Sequence, residues 1–350
     1  MSRVLCALSG GVDSSVAAWL LQKQGFDVVG VFMRNGVSGG ASAGSKTCCS
    51  ASDARDAARV ADKLGIPFYS MDYSKEFGEL IDHFVAEYRR GRTPSPCVLC
   101  NQDLKFGHLF EFAEAVSADF VATGHYARLV EGQLLRAKDE RKDQSYFLFG
   151  IDRASLPRVL FPLGNLDKEE VRELAREAGL LTAEKPESME ICFVPTGDYR
   201  DILRKDGALS PGRFVDREGR ELGRHEGFEG YTVGQRRGLP ALGHPAYVLE
   251  IRPEVAEVVL GRREELRQPE MIVEACRWLG PDPGPGSAFR AQVQMRAHHV
   301  PSPAEVKVEA QGRVRVRFED PEESGAPGQA AVFYDAERVL GGGWIDGTRA

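Results

Sequence analysis

Residues 4–8 form a short apolar run, long enough for one buried strand, and polar and glycine positions follow at once. The spacing then changes. Val16, Ala17, Leu20 and Leu21 recur at helical intervals over residues 14–24, and Gly25 ends that helix. Residues 28–32 predict a second strand. Ser52 reads as the cap of a helix whose Ala57, Ala58, Ala61 and Leu64 share one face, with Gly65 past its end. A strand at 68–71, helices near 76–89 and 104–116, and a strand at 120–122 continue the alternation. Strands alternating with helices predict a parallel sheet with right-handed crossovers.

Further on, residues 127–130 and 133–137 flank Glu131-Gly132 as a hairpin, and Asp167 with Glu170 marks a capping-box helix start. From about residue 200 short strand-like runs are separated by turn pairs such as Pro211-Gly212, Glu218-Gly219 and Pro327-Gly328. The expected organisation is an α/β catalytic domain over 1–200, a small β-rich domain over 201–265 and a β-barrel over 266–350.

Composition narrows the function classes. A chain of 350 residues with 42% hydrophobic and 28% charged positions is an ordinary globular protein of two or three domains. No apolar run reaches the roughly 18–20 residues a membrane helix needs, and 4–8 is too short for a signal peptide, so a cytoplasmic protein is expected. Against 45 Lys and Arg stand 52 Asp and Glu, so polyanion binding requires a local basic face. Seven cysteines, an odd number, argue for metal or catalytic use over a disulfide framework.

The candidate chemistry begins with Ser9-Gly10-Gly11-Val12-Asp13-Ser14-Ser15, between the first strand and first helix. Two glycines allow a tight turn and close approach to a ligand, and the helix N-terminus favours a phosphate. Asp13 either orients this loop or helps hold Mg²⁺. A Ser-capped tight turn is the structural alternative. The 39–47 segment imitates a GxxxxGK motif, but Lys46 comes one residue late, and no GxGxxG follows a strand. Thr93-Pro94-Ser95-Pro96-Cys97-Val98-Leu99-Cys100-Asn101 sets a CxxC just ahead of a helix, where a thiol has a lowered pKa.

The seven-residue glycine string resembles the PP-loop of enzymes that split ATP into AMP and pyrophosphate. The strings 93–101, 122–128, 142–148, 191–193 and 231–239 together resemble the tRNA-specific 2-thiouridylases, in order and over nearly the whole chain. The resemblance implies an ATP site lined by Ala7, Leu8, Ser9, Gly10, Gly11, Val12, Asp13, Ser14, Met33 and Gly124. It implies that Cys192 carries sulfur as a persulfide and that Cys100 releases it, leaving a transient Cys100–Cys192 disulfide. Ser95, Pro96 and Cys97 would face the target base, and His125, Lys142, Asp143, Gln144, Arg296 and Gln329 would touch tRNA.

The implied reaction is ATP-dependent 2-thiolation of the wobble uridine. It takes ATP with Mg²⁺ and needs a cysteine desulfurase or sulfur-relay protein as donor; a monomer is expected. Some relatives have Asp where this chain has Cys97, which leaves the general base unassigned. Cys97, Cys100 and Cys192 are the alternative ligands of a 4Fe–4S cluster. Cys48-Cys49 could add thiols for zinc, although adjacent cysteines suit a tetrahedral site poorly, while Cys6 and Cys276 read as packing residues. The resemblance is incomplete at Arg296-Ala297, where the family has Arg-Tyr. The alternation Arg313-Val314-Arg315-Val316-Arg317 puts arginines on one sheet face, a candidate tRNA-backbone contact. A PP-loop ligase for a small metabolite and a non-catalytic tRNA- or metal-binding module are the competing readings.

Overall fold

The computed structural model describes residues 1–36, 51–187, 191–194, 197–297, 299–323 and 325–349. The chain divides into two compact units. The first comprises Met1–Ile81, Cys97–Gly197 and Glu337–Val339, the second Asp82–Pro96, Asp198–Ala336 and Leu340–Ala350.

In order the first elements are β1 (Arg3–Ala7), α1 (Val12–Lys23), β2 (Asp27–Arg34), α2 (Ala51–Leu64), β3 (Phe68–Asp72) and α3 (Ser74–Arg89). A short helix α4 (Pro96–Leu99) runs into a π-helical stretch, Cys100–His108, and then α5 (Leu109–Ala115). Next come β4 (Phe120–Ala122), the hairpin β5 (Arg128–Val130) and β6 (Gln133–Leu135), β7 (Val159–Leu160) and α6 (Lys168–Glu177).

The first unit is built on a parallel sheet of order β3-β2-β1-β4-β7. Val4, Cys6 and Val28 from its strands pack with Val16, Ala17 and Leu21 of α1 and Ala57, Val60 and Ala61 of α2. Most of these are the positions whose spacing marks the elements; in α2 the core takes Val60, which that face omits, and leaves out Ala58. Asp167 caps α6 as a full capping box, accepting from Glu170 N–H while Glu170 accepts from Asp167 N–H.

The second unit opens its later part with α7 (Arg200–Asp206), a helix in a stretch read as β-rich. β8 (Gly212–Val215), β9 (Glu221–His225), β10 (Tyr247–Arg252) and β11 (Glu257–Gly261) form a sheet of order β10-β11-β8-β9 over Phe214, Phe228, Val248, Val258 and Leu260. The remaining strands are β12 (Arg267–Trp278), β13 (Ala288–Gln294), β14 (Ser302–Val308), β15 (Val314–Glu323), β16 (Ala330–Asp335) and β17 (Arg338–Arg349). Their order β12-β15-β14-β13-β16-β17 closes into a barrel through the β12–β17 pairing. Met271, Val293, Val306, Val316 and Phe333 fill it. Among the described residues no helix is long and apolar enough to cross a membrane.

Candidate functional site

Strand β1 lies between β2 and β4, so the direction of sheet growth reverses there. In open parallel sheets that reversal leaves a crevice at the carboxyl ends of the strands, where ligands bind. The glycine loop leaves β1 at this crevice. Gly10 has φ +73°, and a Cβ there would lie 2.3 Å from the Asp53 carbonyl oxygen, so conformation and space both require glycine. Gly11 is the N-cap of α1 and supplies no side-chain cap, which leaves first-turn N–H groups for an anion. The Ser-capped turn is therefore not what the chain builds. Ser14 Oγ instead accepts from Ser9 N–H at 3.0 Å, and Ser15 Oγ donates to the Gly11 carbonyl at 2.7 Å, bracing the loop from within.

Gly124, just past β4, comes against the same loop; a Cβ there would meet Ser14 N at 2.7 Å. Leu8 and Val12 are buried beside the loop, and Met33 is buried near the carboxyl end of β2. The crevice thus gathers residues from the ends of three neighbouring strands.

Asp13 orients the loop. Its carboxylate accepts from Tyr126 Oη at 2.8 Å and from Lys168 Nζ at 2.7 and 2.8 Å. Lys168 also pairs with Glu187 at 2.7 Å, and Glu187 accepts from Lys142 Nζ at 2.6 Å. An ionic chain therefore runs Lys142–Glu187–Lys168–Asp13. Partial burial alone would raise the Glu187 pKa, but hydrogen bonds from Lys142 and Lys168 bring it down to about 2. Beside it Lys185 Nζ binds the Gly10 carbonyl at 2.9 Å, Asp53 at 2.8 Å and Asp56 at 2.6 Å, tying the loop to α2. Sequence reading misses Lys168, Lys185 and Glu187. The signal available was a charged cluster, Glu184-Lys185-Pro186-Glu187, shortly before Cys192.

Cys97, Cys100 and Cys192 sit in the same unit. Cys97 lies inside α4 and is exposed, and half-buried Cys100 opens the π-helical stretch, so the CxxC occupies the helical segment rather than preceding it. Cys192 is half-buried in a turn closed by Val194 N–H to the Ile191 carbonyl at 2.9 Å. No disulfide joins Cys6, Cys97, Cys100, Cys192 or Cys276, so the expected Cys100–Cys192 bond is not a feature of this state. Burial pushes the Cys6 and Cys276 thiols up to about 12, which suits packing residues. Among the described residues no three His, Cys, Asp or Glu gather to hold a metal ion. Cys48, Cys49 and the 39–47 motif lie outside the described residues.

The expected tRNA contacts divide. His125 receives or gives a hydrogen bond at 2.7 Å with Thr123 Oγ1 and lies 3.5 Å from Lys105 Nζ, in the π-helical stretch that Cys100 opens. Burial, then Lys105, hold its pKa well below the usual histidine range, so the ring is neutral. Asp143 turns inward to Arg136, Ala137 N–H and Ser145, and Gln144 accepts from Tyr126 N–H at 3.0 Å. These two build the wall of the site. Ser95, Pro96, Arg296 and Gln329 belong to the second unit, where Arg296 is exposed and Gln329 half-buried. The arginine face of β15 is largely neutralised: Arg315 and Arg317 share Glu270, Arg315 also takes Glu309, and Arg313 pairs with Glu274 and Glu309.

A glycine loop at the reversal point of a parallel sheet, with three thiols at least partly exposed in the same unit, defines a PP-loop nucleotide-using enzyme. Comparison with known proteins agrees and goes further. Residues 2–196 match the model described as tRNA methyl transferase HUP domain, 200–262 the tRNA methyl transferase PRC-barrel domain, and 268–345 the aminomethyltransferase beta-barrel domain. The chain is 45% identical to the tRNA-specific 2-thiouridylase MnmA of Rhodopirellula baltica, covering 99% of this chain and 96% of that one. It is 47% identical to the MnmA of Carboxydothermus hydrogenoformans (98% and 97% covered) and 48% to that of Chloroflexus aggregans (99% and 98%). The chain belongs to the tRNA-specific 2-thiouridylase family. Solved structures resemble it more loosely. A 4-thiouridine synthetase–RNA complex with bound ATP gives a TM-score of 0.37 at 23% identity, over 56% of this chain and 46% of that one, a likeness too loose to weigh.

Proposed function

We propose that this protein thiolates carbon-2 of the wobble uridine in tRNA, using ATP to activate the base. The observation that carries the reading is the glycine loop with Gly124 packed on it, in the same unit as Cys100 and Cys192. Uracil is a poor electrophile at carbon-2. Attack of its O2 on the α-phosphorus of ATP releases pyrophosphate and makes that oxygen part of an AMP leaving group. The uncapped N-terminus of α1 is suited to the phosphates, and Mg²⁺ would balance their charge. Asp13 is occupied by Lys168 and Tyr126, which favours loop orientation as its role.

In the second half-reaction the terminal sulfur of a Cys192 persulfide attacks carbon-2, and AMP departs with O2. The Cys100 thiolate then attacks the Cys192 sulfur, breaking its S–S bond. The thiocarbonyl remains on the base and a Cys100–Cys192 disulfide on the protein. An external dithiol reduces that bond, and a cysteine desulfurase or sulfur-relay protein reloads Cys192. The target base leaves its stack to reach the thiols, which a single-stranded anticodon loop makes easy. Ser95, Pro96 and Cys97 line the base and His125, Lys142, Arg296 and Gln329 the RNA; the enzyme works as a cytoplasmic monomer. The matching families are described by methyl transfer, but two thiols in the same unit as an ATP-type loop suit sulfur transfer.

The test uses protein purified without oxygen, either metal-free or reconstituted with iron and sulfide. Each form receives ATP, Mg²⁺, unmodified tRNA and a persulfide-generating desulfurase, and thiouridine is read by mass spectrometry. Product from the metal-free form, abolished by Cys100→Ser and by Cys192→Ser, is expected. Product from the reconstituted form alone would replace the persulfide route with a cluster. ATP cleavage with no dependence on tRNA or Cys100 would point to a small-molecule ligase.

A further inference from the structure

We infer that the second unit carries a nucleotide-binding cavity of its own, and that it takes one unpaired nucleotide of the RNA substrate. The RNA occupant rests on the functional reading above; the cavity does not. It measures about 490 Å³, within the range of small-molecule sites, and lies among α7, β8, β9 and the 227–240 segment.

Its inner wall contains His225, 7% exposed, whose Nδ1 and Nε2 both lack a hydrogen-bond partner. The two nitrogens have almost no accessible surface and lie by the backbone of Ala256 and Arg213, so His225 serves the cavity as a buried ring in its wall and not as a hydrogen-bonding group. Burial lowers the His225 pKa. Backbone groups of Ala256 and Arg213 and the Glu229 carboxylate offset part of that, without a hydrogen bond of good geometry. Phe214 and Tyr231 meet the His225 ring with centroids 5.1 and 5.5 Å away, giving the cavity an aromatic side.

The outer wall is cationic. Exposed Arg200, Arg204 and Arg224 line it, each held by a carboxylate of its own segment: Asp198 at 2.8 Å, Asp201 at 3.2 Å and Glu221 at 3.4 Å. Each guanidinium has five N–H donors, so several remain for a phosphate. One carboxylate, Glu226, also lines the wall and lies 3.9 Å from Arg204. Inorganic phosphate would use the arginines and leave the rings idle. An apolar ligand would do the reverse. A flat base carrying a phosphate uses both sides.

The family-like string 231–239 finds a role in this arrangement. Tyr231 and Leu239 line the cavity, and exposed Arg236 and Arg237 lie between them in sequence. The string is fixed on β10 by Gly234 N–H to the Val248 carbonyl at 2.8 Å and Val248 N–H to the Gln235 carbonyl at 3.0 Å. It therefore presents its cations from a rigid support.

The experiment uses the full chain with ¹³C-labelled histidine, the His225 signal being assigned with His225→Gln. Uridine and adenosine monophosphates, inorganic phosphate and an unmodified tRNA transcript are added in turn. The monophosphates and the tRNA should move the His225 signal, and inorganic phosphate should not. Arg224→Glu, an exposed change that leaves the fold intact, should weaken tRNA binding about tenfold and lower the salt slope by about one, with the KM for ATP unchanged. A chain that binds and thiolates tRNA while His225 stays unmoved and Arg224→Glu has no effect refutes this inference alone. Movement by free monophosphates but not by tRNA assigns the cavity to a free nucleotide and overturns the RNA occupant. No tRNA binding and no thiolated product would overturn the functional reading and that occupant together.

Discussion

Replacing Glu187 by Gln keeps the size of the side chain and removes its charge. The ammonium groups of Lys142 and Lys168, 2.6 and 2.7 Å from its oxygens, then lose the carboxylate between them. The fall of the Glu187 pKa from 4.5 to about 2 corresponds to roughly 3 kcal/mol of favourable interaction. The site is partly open to water, and screening leaves about half of that, near 1.5 kcal/mol. Because a depressed carboxylate pKa stabilises the fold in its ionised form, this contribution is complete above pH 4.5 and disappears as pH falls towards 2. Urea denaturation of wild type and Glu187→Gln should therefore differ by about 1.5 kcal/mol at pH 7.5, and the gap should narrow steadily below pH 4.5. Since Lys168 also holds Asp13, the KM for ATP should rise in the same variant. Equal stability at pH 7.5, or a deficit that ignores pH, would refute the ionic chain as a load on this fold.

Gly124→Ala drives a Cβ to 2.7 Å from Ser14 N, against backbone that cannot yield, and should cut kcat/KM for ATP about a hundredfold with folding retained by circular dichroism. Lys185→Met strands Asp53 and Asp56 without their cation and should cost about 2–3 kcal/mol in urea, whereas Lys185→Arg should recover part of it. His125 stays neutral in the fold while the unfolded chain protonates near pH 6.5, so stability should decline by up to about 1.4 kcal/mol per pH unit below that point. His125→Asn should flatten the decline in a pH series of melting curves. Cys276→Ser should leave thiouridine formation unchanged in the mass-spectrometric assay, since that thiol is held protonated by burial.

What could be read in advance followed from periodicity and from short local strings. The first four strands and the helices between them carry apolar residues at intervals that suit one element type, and each buries the face so marked. Strand β7 escaped because two residues carry no period, and α7 because seven residues in a turn-rich stretch give too short a helical pattern. The glycine loop was legible since its chemistry is contained in consecutive residues. The ionic chain was not: Lys168 and Asp13 are 155 residues apart, and Lys185 and Gly10 are 175 apart. A lone lysine or glutamate reads as a solvated surface charge until the fold supplies its partner. Asp143 and Gln144 illustrate the converse, since a polar string that suggests outward contacts spends two of its three side chains on the protein's own backbone and arginine.

The paired arginines of β15 bear on which changes of length the barrel tolerates. Val314, Val316 and Phe318 point inward while Arg315 and Arg317 reach Glu270 on β12. Inserting one residue just before this run exchanges the two sets, turning guanidinium groups into the apolar interior and valines towards the glutamates. Two inserted residues restore the alternation, and the turn at Gln311-Gly312, exposed at the mouth of the strand pair, gives them somewhere to go. Along this part of the chain, insertions of even length should persist among variants and odd ones should be purged.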